Sequence, residues 1–184
     1  MLTPEKINKI RRLQTIISVT LFILVFGLFW KTTNFEMTDV QLSYWSLEKF
    51  GWIWNCCLIM LSISIFINIF YYIEHDRRLI YKNFIQICFL IVSTSLFYTG
   101  IFDMNHPIHN IMAYIYFFAY PLSIFLLAHL NRKHFQYKTW ETHTIFSMTM
   151  IVLPLLSMNV FHGKALPETI HSIIVLTWNL YLLI

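Results

Sequence analysis

An all-α integral membrane bundle of six transmembrane helices, with both termini in the cytoplasm, is expected from three observations. Six long apolar segments, joined by short polar connections, occupy most of the 184 residues. Hydrophobic residues make up 58% of the chain and charged residues only 12%. The basic residues are sorted by loop, not scattered. In water such segments would need partners on every face. In a bilayer a helix satisfies its own backbone hydrogen bonds and shows the lipid only side chains.

The first span, Leu13–Trp30, follows Lys6, Lys9, Arg11 and Arg12 as a signal sequence would, but it lacks a small-x-small cleavage site and reads as a retained signal anchor. The longest connection, Lys31–Lys49, leads into QLSYWSLEKFGW, which is too aromatic for a free loop. It is expected to lie along the interface or fold down over the helix ends. The second, third and fourth spans are Phe50–Tyr72, Phe84–Phe102 and His109–Leu130; the shorter fifth and sixth are Ile145–Phe161 and Pro167–Ile184. At 1.5 Å per residue most can cross roughly 30 Å of hydrocarbon with little tilt. No linker is long enough to divide the chain, so residues 1–184 are read as one six-span domain.

Orientation follows from charge. Ten of the thirteen Lys and Arg residues fall on the side of the N-terminus, the second loop (Arg77, Arg78, Lys82) and the fourth loop (Arg132, Lys133, Lys138), against Lys31, Lys49 and Lys164 opposite. This positive-inside bias puts that side in the cytoplasm. It also explains a pI near 9.0 without a nucleic-acid partner. Trp30, Trp45, Trp52 and Trp54 are expected in the outer aromatic belt. Cys56, Cys57 and Cys88 have no disulfide spacing and are read as reduced thiols.

No Asp, Glu, Lys or Arg falls near the middle of a span, which argues against an ion-coupled transporter or proton pump. The milder polar residues there, among them Asn55, Ser62, Ser93, Asn68 and Asn179, are expected to bond between helices. The outer ends of the last three spans carry more chemistry. The third loop reads Asp103-Met-Asn-His106-Pro-Ile-His109-Asn110, and the last span is reached through His162-Gly-Lys-Ala-Leu-Pro-Glu168-Thr-Ile-His171. Pro107 and Pro167 suit the first turn of a helix, and Glu168 and His171 share a face at i, i+3. Imidazoles and carboxylates gathered there are the material of a metal site, with His106, His109 and His171 as ligands and zinc as the metal, or of an acid–base pair. The same residues serve equally as caps and loop ties. His75, His129, His134 and His143 are read as interfacial residues on the cytoplasmic side.

Three stretches taken together resemble a known group. They are QLSYWSLEKFGWIWNCCLIMLSISIFIN, with a Leu-Ser pair and the Trp54-Asn55 step; GIFDMNHPIHNIMAYIYFF, with His109, Ala113 and Phe117 in an H-x-x-x-A-x-x-x-F pattern; and ALPETIHSIIVLTWNLYLL, with Glu168 near the start of the last helix and Trp178 inside it. In this order they resemble the bacterial six-helix membrane proteins grouped as domain of unknown function 998, and are distantly similar to the eukaryotic Frag/DRAM/Sfk group. The usual Glu-Arg step of the relatives is Glu168-Thr169 here.

The resemblance implies a multi-pass protein of the cell membrane, in bacteria the inner membrane, with no established activity. The eukaryotic relatives are linked to lipid remodelling, which implies membrane lipid as the partner. The expected function is then lipid-interacting or accessory, with Asn55, Asp103, His106, His109, Glu168, His171 and Trp178 as candidate ligand-binding residues. Two alternatives stand beside it: a metal-dependent membrane hydrolase acting on lipid, and a channel or membrane-permeabilising effector assembled as a homo-oligomer.

Overall fold

Helix α2, Gly51–His75, displays the principle on which the fold is built. Leu58, Leu61, Ile65, Asn68 and Ile69 are buried, while Met60, Ile63 and Ile67 on the other side are exposed yet equally apolar. A helix apolar all round, with one face packed and the other bare, suits a lipid solvent and not water. The computed structural model describes residues 4–33, 41–77, 79–160 and 164–183. Residues 34–40 of the first loop, together with Arg78, His162 and Ile184, lie outside the described residues.

Among the described residues there are six α-helices, one 3₁₀ turn and no strand. The others are α1 (Pro4–Thr32), α3 (Lys82–Ile101), α4 (Pro107–Leu130), α5 (Tyr137–Val160) and α6 (Ala165–Tyr181); the 3₁₀ turn is Leu42–Leu47. Helices α1 to α4 are long and apolar enough to cross a membrane. Helix α5 begins eight residues before the expected Ile145, in a polar segment, and α6 spans 17 residues. Even so, Ile145, Met148, Val152, Leu155 and Leu156 form an exposed apolar face on α5.

Neighbours in sequence pack as neighbours in space from α1 to α6, and α6 returns to touch α1, α2 and the 3₁₀ turn. Short loops allow little else. The α2–α3 seam is close-packed: a Cβ on Gly100 would lie 2.9 Å from the Asn55 carbonyl and 2.8 Å from Ile59 Cγ1. Ser62 Oγ donates across the same seam to the Ser93 carbonyl at 2.7 Å.

Two aromatic expectations are corrected here. Trp30 and Trp52 are exposed, as belt residues should be, but Trp45 and Trp54 are in the core. They meet edge to face at 4.9 Å, with Phe26 and Phe29 against Trp45. His143 is fully buried and not interfacial. Its Nδ1 accepts from Trp178 Nε1 at 3.1 Å, so the ring proton sits on Nε2, 3.3 Å from Tyr72 Oη.

Candidate functional site

The described part of the first loop folds inward as a plug. Trp45 anchors it among the aromatic rings of α1 and α2, and Ser46 Oγ accepts from the Met104 N–H at 3.0 Å, tying it to the α3–α4 loop. Gly51 is required beneath it, because any Cβ there would collide with the Ser46 carbonyl. The first N–H of the 3₁₀ turn, on Leu42, has no partner within its own turn and donates to Glu168 Oε2 at 2.6 Å. The Ser43 N–H lies beside the same carboxylate, and Lys164, one helical turn earlier, adds positive charge. Glu168 therefore pins the plug to α6.

The α3–α4 loop uses its polar residues on itself. Exposed Asp103 accepts from the Asn105 N–H at 3.0 Å, an Asx turn. His106 is the N-cap of α4, its Nδ1 accepting from the Ile108 N–H at 3.2 Å while its ring stacks on Phe102 at 4.3 Å. Buried His109 donates from Nδ1 to the Phe102 carbonyl at 2.8 Å, closing the end of α3 onto the first turn of α4. Its Nε2 is buried with no hydrogen bond. Pro107 occupies the first helical position, as expected, and Pro167 the first turn of α6.

His171 belongs to a different neighbourhood. Pro154 has no N–H to give the Met150 carbonyl one turn back in α5, and His171 Nδ1 points at that carbonyl from 3.4 Å. The imidazole lies edge-on to Phe117 at 4.7 Å and to Tyr116 at 5.5 Å, with Nε2 unbonded. Among the described residues no three His, Cys, Asp or Glu side chains come together as a metal set. Asn55, with its Oδ1 unbonded, sits on the α2–α3 seam, and Trp178 lies ten residues beyond Glu168, about 15 Å along the helix.

Beside the plug, α4, α5 and α6 leave a groove of ≈ 180 Å³. Phe117, Phe118, Met150 and Met158 are among its apolar walls, Glu168 and His171 form its inner side, and Lys164 and Tyr114, joined at 3.1 Å, stand at its rim. Ser43, Ala113, Phe117 and Glu168 also line a smaller void that runs inward toward Trp54 and Leu61. The four-residue spacing of His109, Ala113 and Phe117 thus marks a face of α4 that first caps a loop and then opens a groove.

Sequence reasoning passed over the polar chain at the far end. Arg11 Nη1 donates to Asn68 Oδ1 at 3.1 Å and to the Leu182 carbonyl at 3.4 Å. Asn68 Nδ2 donates to the Asn179 carbonyl at 2.9 Å, and Asn179 Nδ2 to Tyr120 Oη at 2.6 Å. Asn68 and Asn179 bond between helices, as expected of polar residues within the spans, but their meeting is a finding of the structure. Arg11 counted only as a topology signal, and its sequence neighbours gave no sign of burial.

Fold and groove together define an all-helical, membrane-embedded protein with a plugged end and a lateral apolar groove. The family described as protein of unknown function (DUF998) matches residues 13–184, and the chain belongs to that family. No curated protein and no solved structure matches it.

Proposed function

We propose that the protein binds a membrane lipid in the groove between α4, α5 and α6, on the extracytoplasmic side, as an accessory or lipid-handling factor of the cell membrane. The observation that carries this reading is the groove's gradient. Its walls are aromatic, Met and branched aliphatic side chains, and apart from His171 on the inner side its polar groups gather toward the plug end, where Lys164 and Tyr114 meet. Acyl chains suit the first and a head group the second. The plug gives the groove a fixed polar end, and the apolar face of α5 gives lipid a lateral approach.

The test is lipid retention. Ile151 lies on the groove and is 39% exposed, so Ile151→Trp fills the opening without disturbing the core. Native mass spectrometry of protein purified in mild detergent should show bound lipid on the parent chain and at least a fivefold lower occupancy on the variant. Equal occupancy in the two would overturn the groove as the site.

A further inference from the structure

At the opposite end of the bundle from the plug lies a further cavity of ≈ 450 Å³, and among the described residues its lining carries two arginines against one aspartate. Arg11, Arg12 and His75 line it with Tyr71, Thr139 and Asp76. We propose that this cavity is a phosphate-binding site, taking a phosphate group that is either free or carried by an anionic lipid head group.

Arg11 carries the argument. It is 5% exposed, and an arginine stays charged at any physiological pH, so its site must hold a cation out of water. Buried charges ordinarily have a charged partner. Here the hydrogen-bond acceptors are neutral: Asn8 Oδ1 takes Nε at 3.2 Å, and Asn68 Oδ1 and the Leu182 carbonyl take Nη1. The Tyr71 ring lies 4.5 Å from the guanidinium carbon. These contacts fix the plane of the fork and leave Nη2, with its two N–H groups, for the cavity. A planar guanidinium held by its other edge is preorganised for the oxygens of a phosphate.

The surrounding groups extend the match. Tyr71 also stacks with the His75 ring at 3.9 Å, and His75 Nδ1 donates to the Tyr71 carbonyl at 2.9 Å, which leaves Nε2 available. Arg12 is exposed on the same lining, and Thr139 adds a hydroxyl. One preoriented buried guanidinium, a second exposed one, an imidazole and a hydroxyl form a donor set for a dianion. This site shares no residue with the groove, and neither depends on the other.

The experiment uses the full chain in a neutral maltoside detergent and three probes: sodium phosphate, dioctanoyl phosphatidic acid, and dioctanoylglycerol as the uncharged control. Binding is read by intrinsic tryptophan fluorescence and by the rise in unfolding temperature. Phosphatidic acid should bind at least tenfold more tightly than dioctanoylglycerol, and less tightly as salt is raised. Arg11→Gln should abolish that difference. Arg12→Gln, on the surface, should weaken binding about tenfold without changing the unfolding temperature of the unliganded chain, and decides the matter if Arg11→Gln does not fold. Displacement of the lipid by millimolar phosphate would identify the free ion as a ligand, and no displacement would identify the head group. Equal binding of phosphatidic acid and dioctanoylglycerol, or full binding by Arg12→Gln, would overturn the proposal.

Discussion

At Glu168 a half-buried carboxylate takes a backbone donor that the 3₁₀ turn cannot satisfy itself, and the consequence can be measured one atom at a time. Glu168→Ala leaves the Leu42 N–H without its acceptor and should cost about 1–3 kcal/mol in denaturant titration. Glu168→Gln keeps an oxygen that can still accept from the Leu42 N–H and should cost less. Amide exchange should separate a lost latch from a general loosening: in Glu168→Ala, Leu42 and Ser43 exchange faster while the α3 amides keep their protection. Uniform acceleration across the bundle would mean that Glu168 supports the fold at large. His106 and His109 teach the complementary lesson. Their residue types suit a zinc site, but one nitrogen of each is committed to a loop bond, to the Ile108 N–H and the Phe102 carbonyl respectively.

At the scale of the element, each helix was legible where its composition was unmixed. Helices α2, α3 and α4 fall within a few residues of the expected spans, since a continuous apolar run between polar loops admits one reading. Helix α5 is longer than its apolar run predicts, because Tyr137–Thr144 is too polar to look transmembrane yet propagates the helix without a break. The prolines inside α4 and α5 gave no sequence-level sign of their use. At Pro154 the freed Met150 carbonyl becomes a docking point for a histidine on another helix. The α2–α3 seam offers the element-scale prediction. Gly100→Val brings carbon into the Asn55 carbonyl and the Ile59 side chain, and helices in contact on both sides cannot simply separate. Such overpacking should lower stability by about 1–3 kcal/mol, seen as a lower unfolding temperature in detergent with helical content unchanged. Glycine is needed there for close approach, since small residues let membrane helices pack by van der Waals contact. A Val variant as stable as the parent would show that the seam has slack.

Across the whole molecule, the sequence disclosed a helical membrane protein and the direction in which its charges sort, because hydropathy and loop charge are local quantities. It did not disclose which residues meet. The Leu42–Glu168 bond joins positions 126 apart, and the Arg11–Asn68–Asn179–Tyr120 chain gathers four helices, neither of which leaves a periodic trace. That chain predicts how the bundle comes apart. Asn179→Leu removes the bond to Tyr120 Oη, but Asn68 Nδ2 still has the residue 179 carbonyl, so the cost should be that of ordinary interhelical bonding, about 0.6–1.7 kcal/mol. Asn68→Leu is different, because it strips a charged and buried guanidinium of its best-placed acceptor at 3.1 Å. Hydrogen bonds to charged groups are worth about 1.5–3 kcal/mol, so this variant should be the weaker of the two. Since the two asparagines are bonded to each other, the double variant should lose less than the sum of the single losses. Reversible unfolding in mixed micelles, run on all four proteins, measures both quantities. Equal single losses that add in the double variant would mean that Arg11 is held by Asn8 and the Leu182 carbonyl alone, and that α1 is fixed to the bundle independently of the α2–α6 contact.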